Sequence, residues 1–219
     1  MRVTLERVEP RKSEGRLVMA DETKRDPDTP DLTAMFGILA RDMQETAAAL
    51  KADPSQYHRR VAVRGLFALV EAVTYMLKQQ ILIWIAKGNK RYTFEEIALQ
   101  KEETYALDRR ARPTVQAKFL PTDDNFRFAV NLYTRDYEPK HILDVGDNGG
   151  NQFQQALHIR NRITHPKSPK LLDVSDEEMR VVEGAYGWFM HSVVILMVRS
   201  AEDLTMRVAR LHGPARDGS

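Results

Sequence analysis

The chain has 219 residues, 42% of them apolar, enough to build one core of ordinary size. Its 33 basic and 31 acidic side chains leave a formal charge of +2, so any contact with a polyanion must come from local clusters of charge and not from the chain as a whole. The lack of cysteine excludes disulfides, zinc–thiolate centres and thiol catalysis, and the longest apolar runs, 81–86 and 193–198, are short against a bilayer, so a cytoplasmic protein with no membrane partner is expected.

Residues 1–28 are charged and proline-bearing. Val3/Leu5 and Leu17/Val18/Met19, across Pro10 to Gly15, suit a small hairpin, and a disordered arm is the simpler expectation. Thr29-Pro30-Asp31 opens a first helix: threonine caps, proline suits the first helical position and aspartate favours the positive helix start. Its stripe is Leu32, Met35/Phe36, Leu39, Met43, Ala47 and Leu50, and Asp53-Pro54 ends it. A second helix runs from Gln56 or Arg59 to Ala86, with Gly88-Asn89 as the stop. It is the most apolar long segment, and cover on most sides by the bundle and by a second chain is expected. Within it Arg64, Glu71 and Lys78 fall seven apart, nearly on one face. They make either a narrow solvated seam or a polar cleft in which Glu71 pairs with an arginine further along the chain, Arg160.

Between 89 and 150 the pattern is less regular. Thr93-Phe94-Glu95-Glu96 has the order of a capping box and starts a short helix. Asp108-Arg109-Arg110-Ala111-Arg112-Pro113 is a basic knot before a proline, read as a solvated helix C-terminus or as a set of phosphate contacts from Arg109, Arg110 and Arg112. Thr122-Asp123-Asp124 caps another helix, with Phe126, Ala129, Val130 and Tyr133 on one side, and Asp144 to Gly150 is expected to be a loop.

The next helix, about Asn151 to Thr164, carries Phe153, Ala156, Leu157, Arg160 and Ile163/Thr164 at the spacing of one face. Arg160 thus stands where a leucine is expected, Asn161 shares the adjacent polar face with His165 one turn later, and Pro166 stops the helix at His165. Ser175-Asp176-Glu177-Glu178 is a full capping box, and a last long helix with Met179, Val182, Tyr186, Phe189, Val193, Leu196 and Met197 continues to about Leu211. Residues 213–219 read as a disordered tail. The expected architecture is all-α: one up-and-down helical bundle over 29–212, with a helical insertion at about 89–150 between its second and third core helices.

Arg160-Asn161-x-x-x-His165, at the end of a helix and before one more long apolar helix, resembles the Arg-x(4–6)-His motif of HEPN domains. The resemblance implies a metal-independent endoribonuclease that works as a homodimer, a toxin or antiphage effector restrained by a cognate antitoxin or regulatory protein. Cleavage by 2′-hydroxyl attack needs a base, an acid and cationic donors for the phosphorane. Histidine suits the proton steps with its unperturbed pKa near about 6.5, and arginine suits the last with its planar fork. His165 and Arg160 would take these roles, with Asn161 and Glu71 supporting and His158 and Arg162 as RNA contacts beside Arg109, Arg110 and Arg112. Against this stands the plain reading of Arg160, Arg162 and His165 as cations favoured by a helix C-terminus. No spacing of His, Asp and Glu reads as a metal site, and no cofactor is expected. The competing functions are a non-catalytic helical interaction or regulatory module and nucleotide binding without cleavage. Two copies of the motif in one cleft would supply two histidines, so a homodimer with the motif helices near its two-fold axis is expected, and light scattering that shows a monomer at micromolar concentration would count against it.

Overall fold

The computed structural model describes residues 32–88, 91–135, 143 and 146–211. The arm or hairpin expected at 1–28, the helix start at Thr29-Pro30-Asp31 and the tail at 213–219 lie outside the described residues.

The bundle is built around α2 (Gln56–Ala86), which ends where Gly88 takes φ +90°, a conformation that costs glycine nothing. Ala62, Val63, Leu66, Phe67, Leu69, Val70, Val73, Leu77 and Ile81 are buried along it, a stripe too wide for one neighbour. Four helices share the cover: α1 (Leu32–Ala52), α4 (Thr122–Tyr133), α5 (Asn148–Thr164) and α6 (Asp176–Leu211). The part of this cover expected of the bundle is thus supplied by four helices of one chain. Phe67 of α2, Phe126 of α4, Phe153 of α5 and Phe189 of α6 meet in the middle. Ring centroids lie 5.7 Å apart for Phe67–Phe153, 6.1 Å for Phe126–Phe153 and 5.5 Å for Phe126–Phe189. Each buried ring contributes about 1.5–3 kcal/mol, and together the four rings tie four helices to one another.

α5 and α6 approach closely because two glycines face the partner helix. A Cβ on Gly149 would lie 2.5 Å from Cδ1 of Trp188, and one on Gly184 would meet the side-chain amide of Gln152. The helix begins at Asn148, earlier than expected, because Asp147 caps it by accepting a hydrogen bond from the N–H of Gly150 at 2.6 Å. The expected loop at Asp144 to Gly150 thus supplies the first helical turn.

The segment between α2 and α5 departs from the all-helical expectation. It opens with α3 (Phe94–Gln100), whose capping box forms between Thr93 and Glu96. It then turns into an antiparallel hairpin, β1 (Glu103–Leu107) and β2 (Pro113–Ala117), with Tyr105 opposite Val115. The basic knot is its turn and not a helix end. Asp108 accepts hydrogen bonds from the N–H groups of Arg110 (2.8 Å) and Arg112 (2.9 Å), and Ala111 takes φ +56°. A smaller apolar cluster of Ile81, Tyr92 and Leu132, with Trp84 stacked on Tyr133, seats this segment against the far end of α2. The fold is a mostly α-helical bundle with one two-stranded sheet among the described residues.

By length and composition, α2 and the Asp176–Glu202 part of α6 could each cross a membrane. For α2 the burial within the bundle accounts for the apolarity. On α6, Val194, Met197, Val198 and Met206 stay exposed, Met197 among them although its spacing continues the buried stripe.

The two glycine contacts should behave differently. Gly149→Ala should lower stability by roughly 1–3 kcal/mol in urea unfolding, because a tryptophan ring cannot yield locally. Gly184→Ala should stay within about 1 kcal/mol of wild type, since the Gln152 amide can swing aside and alanine favours the helix.

Candidate active site

The apolar face of α5 runs through Phe153, Ala156, Ile159 and Ile163, all buried. Ile159 fills the position expected of Arg160, and Arg160 lies at the edge of that face with 26% of its side chain exposed. Its guanidinium is held by two side chains. Nη2 donates to Oε1 of Glu71 at 2.8 Å, and Nη1 donates to Oδ1 of Asn161 at 3.1 Å. The salt bridge is the one that the spacing on α2 offered as an alternative to a solvated seam.

Beyond Arg160 the helix end is closed by groups other than the histidine. Arg64 Nη2 donates to the carbonyl of Ile163 at 3.1 Å, and the Thr164 hydroxyl donates to the carbonyl of Arg160 at 2.7 Å. The N–H of His165 donates to the carbonyl of Asn161 at 3.0 Å, and the residue leaves helical geometry at φ −122°, ψ 57°. Its imidazole is exposed, with no hydrogen-bond partner among the described residues. Asn161 is exposed on the same side, and His158 is exposed one turn earlier.

Arg162, expected as an RNA contact, is engaged within the fold. Nη1 donates to the carbonyls of Leu171 and Asp173, each at 2.8 Å, and Nη2 donates to Oε1 of Glu178 at 2.6 Å. It staples α5 to the 3₁₀ turn Pro169–Leu172 and to the first turn of α6, whose capping box between Ser175 and Glu178 also forms. Arg109 and Arg110 are exposed at the hairpin turn. Arg112 folds back on Asp108, with Nε at 3.0 Å and Nη2 at 2.8 Å from Oδ2. The backbone N–H of Arg112, and then its guanidinium, hold the Asp108 carboxyl below the usual carboxylate range.

Next to the Arg160–Glu71 pair lies a cleft of about 630 Å³ between α2, the end of α3, the base of the hairpin and the start of α4. Glu71 forms part of its wall, with Tyr75, Gln100, Phe119 and Asn125. Its floor is a polar triangle. The buried Lys78 donates from Nζ to Oε1 of Glu102 at 2.8 Å and to Oδ1 of Asn125 at 3.0 Å, and Asn125 Nδ2 donates to Glu102 at 3.1 Å. The Lys78 ammonium holds the Glu102 carboxyl below its usual range, with burial opposing. Glu102 sits at φ +54°, just past the end of α3, where glycine is usual. Sequence reasoning named Lys78 only as part of a charged row. It missed Glu102, Asn125, Gln100, Tyr75 and Phe119, which come from separate elements and share no spacing.

Among the described residues no group of three or more His, Asp or Glu is placed to hold a metal ion. No protein-family model, no curated protein and no solved structure matches the chain.

The placement of Arg162 carries a measurable consequence. Arg162→Ala removes the guanidinium donor from Oε1 of Glu178 and from two backbone carbonyls, and should lower stability by roughly 1–3 kcal/mol in urea unfolding. Arg41→Ala, at an exposed position on α1, should change it by less than about 0.5 kcal/mol.

Proposed function

We propose that the chain is an endoribonuclease of HEPN type, which cleaves RNA by attack of a ribose 2′-hydroxyl on the adjacent phosphate. The observation that carries this reading is the contrast between two arginines on one helix. Arg162 is spent on two backbone carbonyls and a carboxylate of the fold, whereas Arg160, just as exposed, is held among the described residues by the side chains of Glu71 and Asn161 alone. A half-exposed pair such as Arg160–Glu71 contributes only about 0–1 kcal/mol, so a phosphate can take the place of the carboxylate at small cost.

In this mechanism Arg160 grips the scissile phosphate and offsets the charge that builds on it. Glu71 keeps the guanidinium aimed until the phosphate arrives. His165 carries the proton steps, and its placement supports this, because Arg64 and Thr164 already close the helix end and leave the imidazole with no structural task. One chain supplies one such imidazole, and a second copy, facing the first across a two-fold axis, supplies the other. The exposed apolar strip on α6 lies toward the opposite end of the bundle. The motif helices would therefore meet through the polar faces of α5. Of the other expected contacts, His158, Arg109 and Arg110 remain open to RNA. Such an enzyme would act in the cytoplasm as a toxin or antiphage effector under a cognate partner. The α6 strip favours a second reading, a non-catalytic interaction module that docks through Val194, Met197 and Val198.

Purified protein incubated with total RNA decides between them. The nuclease reading expects cleavage that persists in EDTA and leaves 2′,3′-cyclic phosphate ends. His165→Ala should stay folded, within about 1 kcal/mol of wild type, and lose activity roughly 10²–10⁴-fold. Arg41→Ala should cleave at the wild-type rate. RNA that stays intact with the wild-type protein, or equal rates for His165→Ala and wild type, would replace this reading with the interaction module.

A further inference from the structure

The cleft beside Arg160 contains a group that the fold leaves unused. Gln100, at the end of α3, is 97% buried (3% exposed), and neither the oxygen nor the nitrogen of its carboxamide has a hydrogen-bond partner among the described residues. An amide buried without partners is costly, and native proteins rarely keep one unless water or a ligand completes it. Gln100 lines the cleft, and a turn of its side chain would carry the covered carboxamide to a partner there.

The rest of the wall narrows the class of that partner. Tyr75 and Phe119 line the same cleft and are 42% and 86% exposed, so both offer ring surface to a ligand there. A flat ligand with a hydrogen-bond donor beside an acceptor on its edge would satisfy the carboxamide and cover the rings together. Nucleobases have that form, and glutamine reads their edges through paired hydrogen bonds. The cleft, at about 630 Å³, falls in the range of about 300–1,000 Å³ usual for small-ligand sites. The polar floor is already satisfied within itself by Lys78, Glu102 and Asn125, whereas the Gln100 amide is buried and unsatisfied among the described residues. Glu71 joins the two sites, since it forms part of the cleft wall and holds the Arg160 guanidinium.

We propose that this cleft is a nucleobase subsite, in which one base of a single-stranded RNA is read by Gln100 and covered by Tyr75 and Phe119 while the neighbouring phosphate lies at Arg160. The assignment rests on the ribonuclease reading for its substrate class, and it adds that the substrate must be unpaired, because a base inside a duplex cannot enter.

The test uses binding alone, so that it does not depend on cleavage. A fluorescein-labelled single strand with 2′-O-methyl riboses cannot be cut by 2′-hydroxyl attack, and its affinity for the full chain is read by anisotropy. The wild-type protein should bind it, and should bind the duplex of the same sequence at least tenfold more weakly. Phe119→Ala, at a solvent-exposed position, and Gln100→Leu should each weaken binding of the single strand by roughly 5- to 150-fold, the range for losing one base–side-chain contact. Gln100→Leu should do so with an unchanged or raised Tm, because it removes an unsatisfied amide. A lowered Tm with unchanged affinity would make Gln100 a structural residue and overturn the subsite. If both variants bind as wild type does, the subsite is wrong while the ribonuclease reading stands on its cleavage assay. If both lose affinity but no RNA is cut, the subsite stands and the nuclease chemistry falls. If the wild-type protein does not bind the single strand, the subsite is wrong.

Discussion

A mostly buried helix carries its charge along its open edge, where side chains such as Arg64 and Glu71 reach groups on neighbouring elements, and a charge that is itself buried, such as Lys78, must be paired. α2 carries three such groups in one row, and each reaches a different place. Arg64 closes the carbonyl end of α5, Glu71 holds the guanidinium of Arg160, and Lys78 binds Glu102 and Asn125 below the hairpin. The row therefore sets where the motif helix ends, where its arginine points and where the hairpin is rooted. A rotation of α2 by one residue, about 100°, would break all three at once while pushing the row toward the aromatic core. The candidate site is a product of the packing of this one helix.

This dependence explains which features could be read from the sequence. The helix starts at Thr93 and Ser175 were legible because a capping box is local, written in four consecutive residues. The stop at Gly88 was legible for the same reason. The Arg160–Glu71 pair was visible as an alternative because a charge on a buried stripe must be answered, and the seven-residue spacing on α2 offered one candidate. The hairpin was not legible. Its strands are five residues long, its apolar side chains Tyr105, Leu107 and Val115 stay exposed, and its turn is so basic that it reads as a helix end. The role of Arg162 was hidden because its acceptors are backbone carbonyls of a turn, and carbonyls leave no mark on a sequence. Gln100 was hidden because its significance lies in what it lacks.

The two ends of the bundle are chemically unlike. At one end, the close of α5 and the start of α6 hold three cation–carboxylate pairs between distant elements: Arg59 with Asp176, Arg160 with Glu71 and Arg162 with Glu178. At the other, α6 runs on with exposed valine and methionine. The polar end suits a charged, exchangeable ligand and the apolar end suits a lasting contact.

The stacking of Trp84 on Tyr133, at 5.0 Å and 25°, and of Trp188 against Phe153, at 5.2 Å, has a practical consequence. These are the two tryptophans of the chain, and they sit in different apolar clusters, one between α2 and α4 and one between α5 and α6. The protein thus carries one optical reporter in each cluster. With either indole replaced by phenylalanine, the emission of the other follows its own cluster, so a denaturant titration can show whether the segment that bears the hairpin melts together with the central bundle or ahead of it.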